Sequence, residues 1–129
     1  MYSEKVMAKI LVIDDEQRTR DLLGTLLSRK GYDVVLAENG PKGFDIFLRE
    51  RPDVIVLDLN MPGLDGLAAL QQVRSLNPKQ PVIILTGAGT DEMEQQVRAL
   101  GVTEFIEKDF ALHLLSDSLK RLLVFTDPA

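Results

Sequence analysis

Five polar residues stand at the right-hand ends of four apolar runs in this chain. Asp14 and Asp15 follow KILVI, Asp58 follows VIVL, Thr86 follows VIIL and Lys108 follows EFIE. If these runs are neighbouring parallel strands, their carboxyl ends converge on the crevice where open α/β sheets bind ligands. Three carboxylates, one hydroxyl and one ammonium then share a pocket. Such a set can hold a divalent cation and accept a phosphoryl group.

The pattern of apolar residues predicts an alternation of strands and helices. Its period switches five times, with Gly, Pro, Asn or Asp at the changes. VIVL and VIIL are continuous β-branched runs, as expected for parallel strands covered on both faces. We therefore expect strands at residues 9–13, 33–37, 54–57, 82–85 and 102–106. Helices are expected on both faces of the sheet, at residues 17–30, 41–50, 66–75, 91–100 and 110–123. Pro41 is placed to start the second helix, and Gly31 and Gly101 to end the first and fourth.

The composition limits the class of protein. A length of 129 residues predicts a single domain, 1–129. The absence of cysteine excludes a disulfide framework and Cys-based zinc or redox sites, and it fits a reducing cytosol, so we expect a cytoplasmic protein. The apolar runs are far shorter than the roughly 20 residues of a membrane-spanning helix, so no membrane partner is expected. A net charge of −5 with dispersed basic residues argues against direct nucleic-acid binding.

Four segments carry a resemblance to a known family. They are LVIDDE, LDLNMPGLDG, LTGAG and FIEKDF, and together they resemble the receiver domain of two-component response regulators from about residue 9 to residue 123. Each segment alone is a weak signal, but four of them in this order make a specific one. The resemblance implies a flavodoxin-like (CheY-like) fold with five parallel strands in the order 2-1-3-4-5. It also implies a signalling domain that is not an enzyme. At most, it catalyses its own phosphorylation from small donors and its own dephosphorylation.

The resemblance implies roles for the acidic residues. Asp58 is the implied acceptor of a phosphoryl group from a histidine kinase or a histidine phosphotransfer protein. Asp14 and Asp15, with Asp58 and the backbone carbonyl of Asn60, are the implied ligands of Mg²⁺. These roles agree with the chemistry, because a carboxylate can attack phosphorus as a nucleophile and Mg²⁺ takes oxygen ligands.

The remaining implied residues respond to the phosphoryl group. Thr86 and Lys108 contact its oxygens, and Phe105 is the aromatic residue that reports the change. Gly87 and Gly89 follow Thr86, and glycine lets that loop move. We expect Phe105 to fill the space that the loop vacates when Thr86 moves inward. A local change of charge then biases a bistable surface.

The output surface of this family is usually the fourth helix, fifth strand and fifth helix, here about residues 91–123. The fourth helix has few apolar residues, chiefly Met93, Val97 and Leu100. The fifth is rich in leucine, with a stripe of Leu112, Leu115, Leu119 and Leu122 and further apolar residues at Leu114, Leu123, Val124 and Phe125. A contact with a downstream protein or in a homodimer and a broad core-facing helix are equally good interpretations.

One residue departs from the family pattern. Asp109 follows Lys108, where receivers commonly have proline after a cis peptide bond. A cis bond before a non-proline residue costs roughly 2.5 to 4 kcal/mol, so this bond is expected to be trans or strained, which bears on the reach of Lys108 toward Asp58. Asp109 can alternatively cap the fifth helix, as Asp15 can cap the first.

Three other classes stay open. A degenerate receiver would bind proteins without phosphorylation. A haloacid-dehalogenase-type phosphatase also uses Asp, Thr or Ser, Lys and Mg²⁺, but it needs Asp-x-Asp after the first strand, where this chain has Asp14, Asp15 and Glu16. A flavodoxin-like binding module needs a loop of Ser, Thr and Gly there to hold phosphate, and carboxylates would repel that phosphate.

Overall fold

Strands and helices alternate along the described chain. The computed structural model describes residues 7–59, 61, 65–86, 91–102, 104–107 and 111–123, with the backbone alone for residues 86, 91, 107, 111 and 112. The strands are β1 (Lys9–Ile13), β2 (Asp33–Ala37), β3 (Val54–Asp58), β4 (Val82–Thr86) and β5 (Glu104–Glu107). The helices are α1 (Gln17–Arg29), α2 (Gly40–Glu50), α3 (Asp65–Leu76), α4 (Asp91–Ala99) and α5 (Ala111–Leu123).

The strands form one parallel sheet in the order β2-β1-β3-β4-β5, as predicted. β3 and β4 each extend one residue beyond the predicted end, because Asp58 pairs with Leu85 and Thr86 pairs with Glu107. The predicted start of the fifth strand at residue 102 is wrong. β5 begins at Glu104, which pairs with Ile83. In the same register residue 102 faces Pro81, which has no backbone N–H to donate to the hydrogen bonds between the strands.

Alternate residues of each strand point to opposite faces of the sheet, and they enter two apolar clusters. The cluster under α1 and α5 includes Ile10, Val12, Val54, Val56, Ile83, Leu85 and Ile106. The cluster under α2, α3 and α4 includes Leu11, Ile13, Ile55, Leu57, Val82 and Ile84. Because helices cover both faces, the carboxyl-terminal edge of the sheet is left for polar residues.

The helix ends follow the predicted signals. Gly31 and Gly101 follow α1 and α4 with φ angles of 97° and 81°, a left-handed conformation that glycine adopts without strain. Pro41 lies in the first turn of α2, where Asn39 Oδ1 accepts the N–H of Lys42 at 2.8 Å. The predicted helix boundaries agree with the structure within one residue at each end. Over the described ranges, no helix is both long enough and apolar enough to cross a membrane.

Helix α5 turns most of its described leucines toward the core. Leu115, Leu119 and Leu123 are buried and Leu122 is half-buried, whereas Leu114 is exposed. The leucine stripe is therefore mainly a core-facing stripe. The side chain of residue 112 and residues 124 and 125 lie outside the described part of the chain.

Candidate functional site

Three carboxylates meet at the carboxyl-terminal edge of the sheet. Asp14 and Asp15 directly follow β1, and Asp58 ends β3. Each offers one oxygen, and these oxygens all lie within 4.8 Å of one another. Asp14 and Asp58 are only 1% and 2% exposed, whereas Asp15 faces solvent. The structure thus brings together the three carboxylates that the sequence placed in one crevice.

Asp14 is held by the sheet and by the start of α1. Its N–H donates to the carbonyl of Ala37 at 3.1 Å, one residue beyond the end of β1. Its Oδ1 accepts the N–H of Glu16 at 2.9 Å, and Arg20 Nη1 donates to its carbonyl oxygen at 2.7 Å. Bonds to the next strand and to the helix therefore fix the direction of this carboxylate.

The alternative interpretation, in which Asp15 caps α1, is wrong. The N-cap residue is Glu16, whose side chain makes no capping bond to the backbone and instead accepts a hydrogen bond from Thr19 Oγ1 at 2.6 Å. The backbone N–H of Glu16 is bound by Asp14, not by Asp15. Asp15 stands outside the helix, and its exposed carboxylate belongs to the acidic cluster.

Asp58 is positioned by β4 on one side and by α3 on the other. It pairs with Leu85, and the N–H of the next residue, Leu59, donates to the Leu85 carbonyl at 3.2 Å. On the α3 side, a Cβ added at Gly66 would lie 2.9 Å from the carbonyl oxygen of Asp58. A side chain at residue 66 would therefore displace the backbone of Asp58, and glycine is required there.

The three carboxylates fit Mg²⁺. This ion takes oxygen ligands in octahedral geometry and keeps several waters, so a few carboxylates at a solvent-facing edge suit it. The cluster contains carboxylates alone, without the Cys or His ligands that zinc prefers. Three negative charges within 4.8 Å repel one another, and burial of two of them strengthens that repulsion. A divalent cation would relieve it.

Other predicted site residues fall outside the described residues. They are Asn60, Lys108 and Asp109, and the glycines at 87 and 89. For Thr86 the structure describes the backbone, which ends β4 one position beyond the partner of Asp58. The backbone of Thr86 therefore reaches the same edge of the sheet as the carboxylates.

Phe105 lies on β5, and its ring faces the guanidinium of Arg98 on α4. The ring is half-buried, packs against the α2–α3–α4 cluster and is in register with Ile84. Cζ of Arg98 lies 5.1 Å from the ring centroid, which is a cation–π distance. Arg98 Nε also donates to Glu94 Oε2 at 2.8 Å. Arg98 was not among the predicted site residues, although a glutamate four residues before an arginine was the available signal.

Arg74 joins α3 to the end of α4. Its Nε donates to the carbonyl of Leu100 at 2.6 Å, and its Nη2 donates to that of Gly101 at 2.7 Å. Carbonyls at a helix C-terminus lack internal partners and favour a cation. Burial lowers the pKa of Arg74 from its usual value, yet an arginine stays charged at neutral pH. This link was not predicted from the sequence, because the bonded residues are 26 and 27 positions apart.

The family model described as the response regulator receiver domain matches residues 10–120. This chain belongs to that family. The resemblance of its four segments is thereby confirmed. The other two families considered, the dehalogenase-type phosphatase and the flavodoxin-like binding module, are not the family that the model matches. Receivers are signalling domains of two-component systems, and membership implies a histidine kinase or a phosphotransfer protein as partner.

Two curated relatives differ in how much of their length this receiver covers. Sporulation initiation phosphotransferase F of Bacillus subtilis (strain 168) is 35% identical over 115 residues, which are 89% of this receiver and 93% of that protein. Response regulator MprA of Mycobacterium sp. (strain KMS) is 38% identical over 122 residues, which are 93% of this receiver and 52% of MprA. The receiver spans nearly all of the first relative and about half of the second.

Solved structures share the fold. Chemotaxis protein CheY4 of Vibrio cholerae aligns with a TM-score of 0.82 and 32% identity, over 91% of this receiver and 99% of that chain. Response regulator TrrA from Thermotoga maritima, in complex with Mg²⁺–BeF, aligns with a TM-score of 0.79 and 31% identity, over 90% of this receiver and 99% of that chain. With the strand order, these likenesses confirm the flavodoxin-like, CheY-like fold.

Proposed function

We propose that this receiver accepts a phosphoryl group on Asp58 from a histidine kinase or a histidine phosphotransfer protein. The carboxylate cluster carries the proposal, since Asp58 is buried and shares the cluster with Asp14 and Asp15 within 4.8 Å. A relative whose name includes "phosphotransferase" and a similar structure in complex with Mg²⁺–BeF support the same chemistry.

A carboxylate oxygen of Asp58 is the proposed nucleophile. It forms a bond to phosphorus while the P–N bond of phosphohistidine breaks, and the imidazole leaves with that electron pair and takes up a proton. Negative charge spreads over the equatorial phosphoryl oxygens, so the site must chiefly supply positioning and positive charge. Mg²⁺ held by Asp14, Asp15, Asp58 and the Asn60 carbonyl would supply such charge. Lys108 and the Thr86 hydroxyl would contact the transferred phosphoryl oxygens.

The contacts of Asp14 suit a preorganised site. Its Oδ1 already accepts the Glu16 N–H, and Arg20 already binds its carbonyl. These bonds exist before any ligand binds, so little side-chain freedom is lost on binding. Through its bond to the Asp14 carbonyl, Arg20 also fixes the position of α1 relative to the acidic cluster.

The signal is proposed to leave through Phe105 and α4. Phosphorylation of Asp58 draws the Thr86 hydroxyl inward, the following loop moves, and the Phe105 ring enters the vacated space. This movement breaks the contact between the ring and Arg98, which at an exposed site is worth about 0.5 to 1 kcal/mol. A new charge-assisted hydrogen bond is worth about 1.5 to 3 kcal/mol and outweighs that loss. The α4–β5–α5 surface then changes for a downstream protein or a second copy.

Intact mass spectrometry tests the acceptor. The receiver is incubated with Mg²⁺ and acetyl phosphate and compared with Asp58→Asn and with Asp45→Asn, which removes an exposed carboxylate on α2. We expect one phosphoryl adduct on the wild type and on the control, and none on Asp58→Asn or without Mg²⁺. If the wild type forms no adduct with any small donor, the proposal fails and a degenerate receiver is the better account.

A thermal shift tests the metal ligands. At a free Mg²⁺ concentration of about ten times Kd, binding adds about 1.4 kcal/mol of stability, which raises Tm by roughly 5 °C for a domain of this length. Asp14→Asn and Asp15→Asn should each reduce this rise, and Asp45→Asn should keep it. An unchanged Tm of the wild type at millimolar Mg²⁺ would contradict the proposed metal site.

A further inference from the structure

The first turn of α3 is fastened to the first turn of α2 by one carboxylate. Asp65 begins α3, and its Oδ2 accepts the N–H of Gly40, the first residue of α2, at 2.8 Å. That N–H is one of the donors that a helix leaves without an internal partner, and the Asn39 side chain already serves the N–H of Lys42. A negative charge also interacts favourably with a helix N-terminus.

The first turns of α2 and α3 also approach each other closely along their backbones. A Cβ added at Gly40 would lie 2.7 Å from the carbonyl oxygen of Asp65 and 2.9 Å from its Oδ1. The next residue, Gly66, approaches the carbonyl of Asp58 as closely, at 2.9 Å from its added Cβ. The start of α3 therefore fills the space between α2 and the backbone of the acceptor aspartate.

Helix α2 in turn reaches the other strand of the acidic cluster. A Cβ added at Gly43 would lie 2.4 Å from Cδ1 of Ile13, the buried residue that directly precedes Asp14. The bond between Asp65 and Gly40 therefore joins α2, which contacts the strand of Asp14, to the start of α3, which contacts the backbone of Asp58. This bond thus adds a connection through the helices between two strands that also pair directly with each other.

We infer that Asp65 is a positioning residue for phosphoryl transfer to Asp58. It holds α3 against the carbonyl of Asp58, and so sets the distance of that side chain from Asp14. Among the residues that the structure describes, the metal-binding cluster consists of Asp14, Asp15 and Asp58, so Asp65 acts through the backbone. The inference rests on the proposed function and adds a residue that governs its rate.

The test compares Asp65→Ala with Asp65→Asn, and with Asn39→Ala as the matched control. Asp65→Asn keeps an oxygen that can accept the Gly40 N–H, whereas Asn39→Ala removes a different capping bond from the same helix end. Adduct formation with acetyl phosphate and Mg²⁺ is followed by intact mass at a temperature where circular dichroism shows every variant folded. Rates over a range of acetyl phosphate separate KM from the maximal rate.

We expect the maximal rate of Asp65→Ala to fall on the order of tenfold with little change in KM, because small misplacements of reacting groups are costly. Asp65→Asn and Asn39→Ala should stay close to the wild type. Gly40→Ala, whose methyl group pushes against Asp65, should be slow like Asp65→Ala. The Mg²⁺-induced rise in Tm should shrink in Asp65→Ala and persist in Asn39→Ala.

Two results would overturn the inference while the proposed function stands. One is an Asp65→Ala rate equal to that of a wild type that does form the adduct. The other is an equal slowing in Asn39→Ala, which would assign the effect to the stability of α2. A wild type without any adduct would overturn the proposed function and this inference together.

Discussion

The two sides of this receiver are held together by different kinds of contact. Around the acidic cluster, backbone groups press on one another, as at Gly40 and Gly66, where an added carbon has no room. Around α4 and β5, long cationic side chains add links between neighbouring elements, namely Arg74, Arg98 and Arg121. Backbone contacts fix positions within tenths of an ångström, whereas long side chains can release and re-form. We therefore propose that the chemical centre is fixed and that the surface formed by α4 and β5 is adjustable.

Within the adjustable side, α5 is held more firmly than α4. The Oε1 atom of Glu104 on β5 accepts hydrogen bonds from the buried Ser118 at 2.7 Å and from Arg121 at 2.8 Å. Three of the described leucines of α5 are buried, namely Leu115, Leu119 and Leu123, whereas Val97 is the fully buried residue among those described on α4. We therefore still expect the packing of α4 to change more easily than that of α5.

The largest effect is expected from Gly66→Ala on the fixed side. Its methyl group must displace the Asp58 carbonyl, and such overpacking costs about 1 to 3 kcal/mol of unfolding free energy in urea titrations. Gly24→Ala in α1 is the matched control. There the nearest atom is Cδ1 of Leu36 at 3.3 Å, on an exposed side chain that can give way, and alanine has the higher helix propensity. If both variants lose the same stability, the backbone contact at Gly66 is not special.

Next in size is Arg74→Ala, which removes the link to the end of α4. Charge-assisted hydrogen bonds at a partly exposed site predict a loss of about 1 to 2 kcal/mol. Hydrogen exchange should rise in α4 and stay unchanged in β1 and β3. Arg74→Lys keeps the charge but cannot bind both carbonyls as a fork, so it should behave almost like alanine. Uniformly faster exchange across the sheet would argue against a local link.

A smaller effect is expected from Arg98→Ala. The cation–π contact and the exposed Glu94 pair together contribute roughly 1 kcal/mol. Because Arg98 holds the Phe105 ring in its present place, its loss should favour the displaced ring and speed adduct formation with acetyl phosphate by a few-fold. Glu94→Gln should give a weaker change in the same direction. A slower reaction in Arg98→Ala would show that Arg98 supports the active arrangement instead.

The smallest effect comes from a polar link at the amino-terminal edge of the sheet, away from the acidic cluster. Lys9 Nζ binds Glu50 Oε1 at 2.7 Å, and this hydrogen bond lowers the pKa of Glu50 from its usual 4.5. A carboxyl group with a lowered pKa adds stability above its usual pKa and loses it as the pH falls through the lowered value. The Tm difference between wild type and Glu50→Gln should therefore shrink from pH 6 toward pH 3. A constant difference would mean that the pair adds nothing measurable.

Short-range patterns in the sequence predicted the strands and the acidic residues at their ends, and the resemblance to receivers supplied the strand order. Apolar β-branched runs that end in aspartate located β1 and β3, and parallel order then brought Asp14 and Asp58 to one edge. The start of β5 was mispredicted because Pro81, which directly precedes β4, lies opposite residue 102 in the register of the two strands. Contacts between helices, such as that of Asp65 with Gly40 or of Arg74 with α4, could not be predicted, because no local periodicity encodes them.

Hydrogen-exchange mass spectrometry of the phosphorylated receiver tests the central claim most directly. Wild type and Asp58→Asn are each treated with acetyl phosphate and Mg²⁺, and the adduct is located in the same peptides that report exchange. The account predicts an adduct on the peptide that contains Asp58, with altered exchange in α4 and β5 and unchanged exchange in α2 and the first turn of α3. Full phosphorylation with unchanged α4 and β5, or an adduct elsewhere, would contradict it.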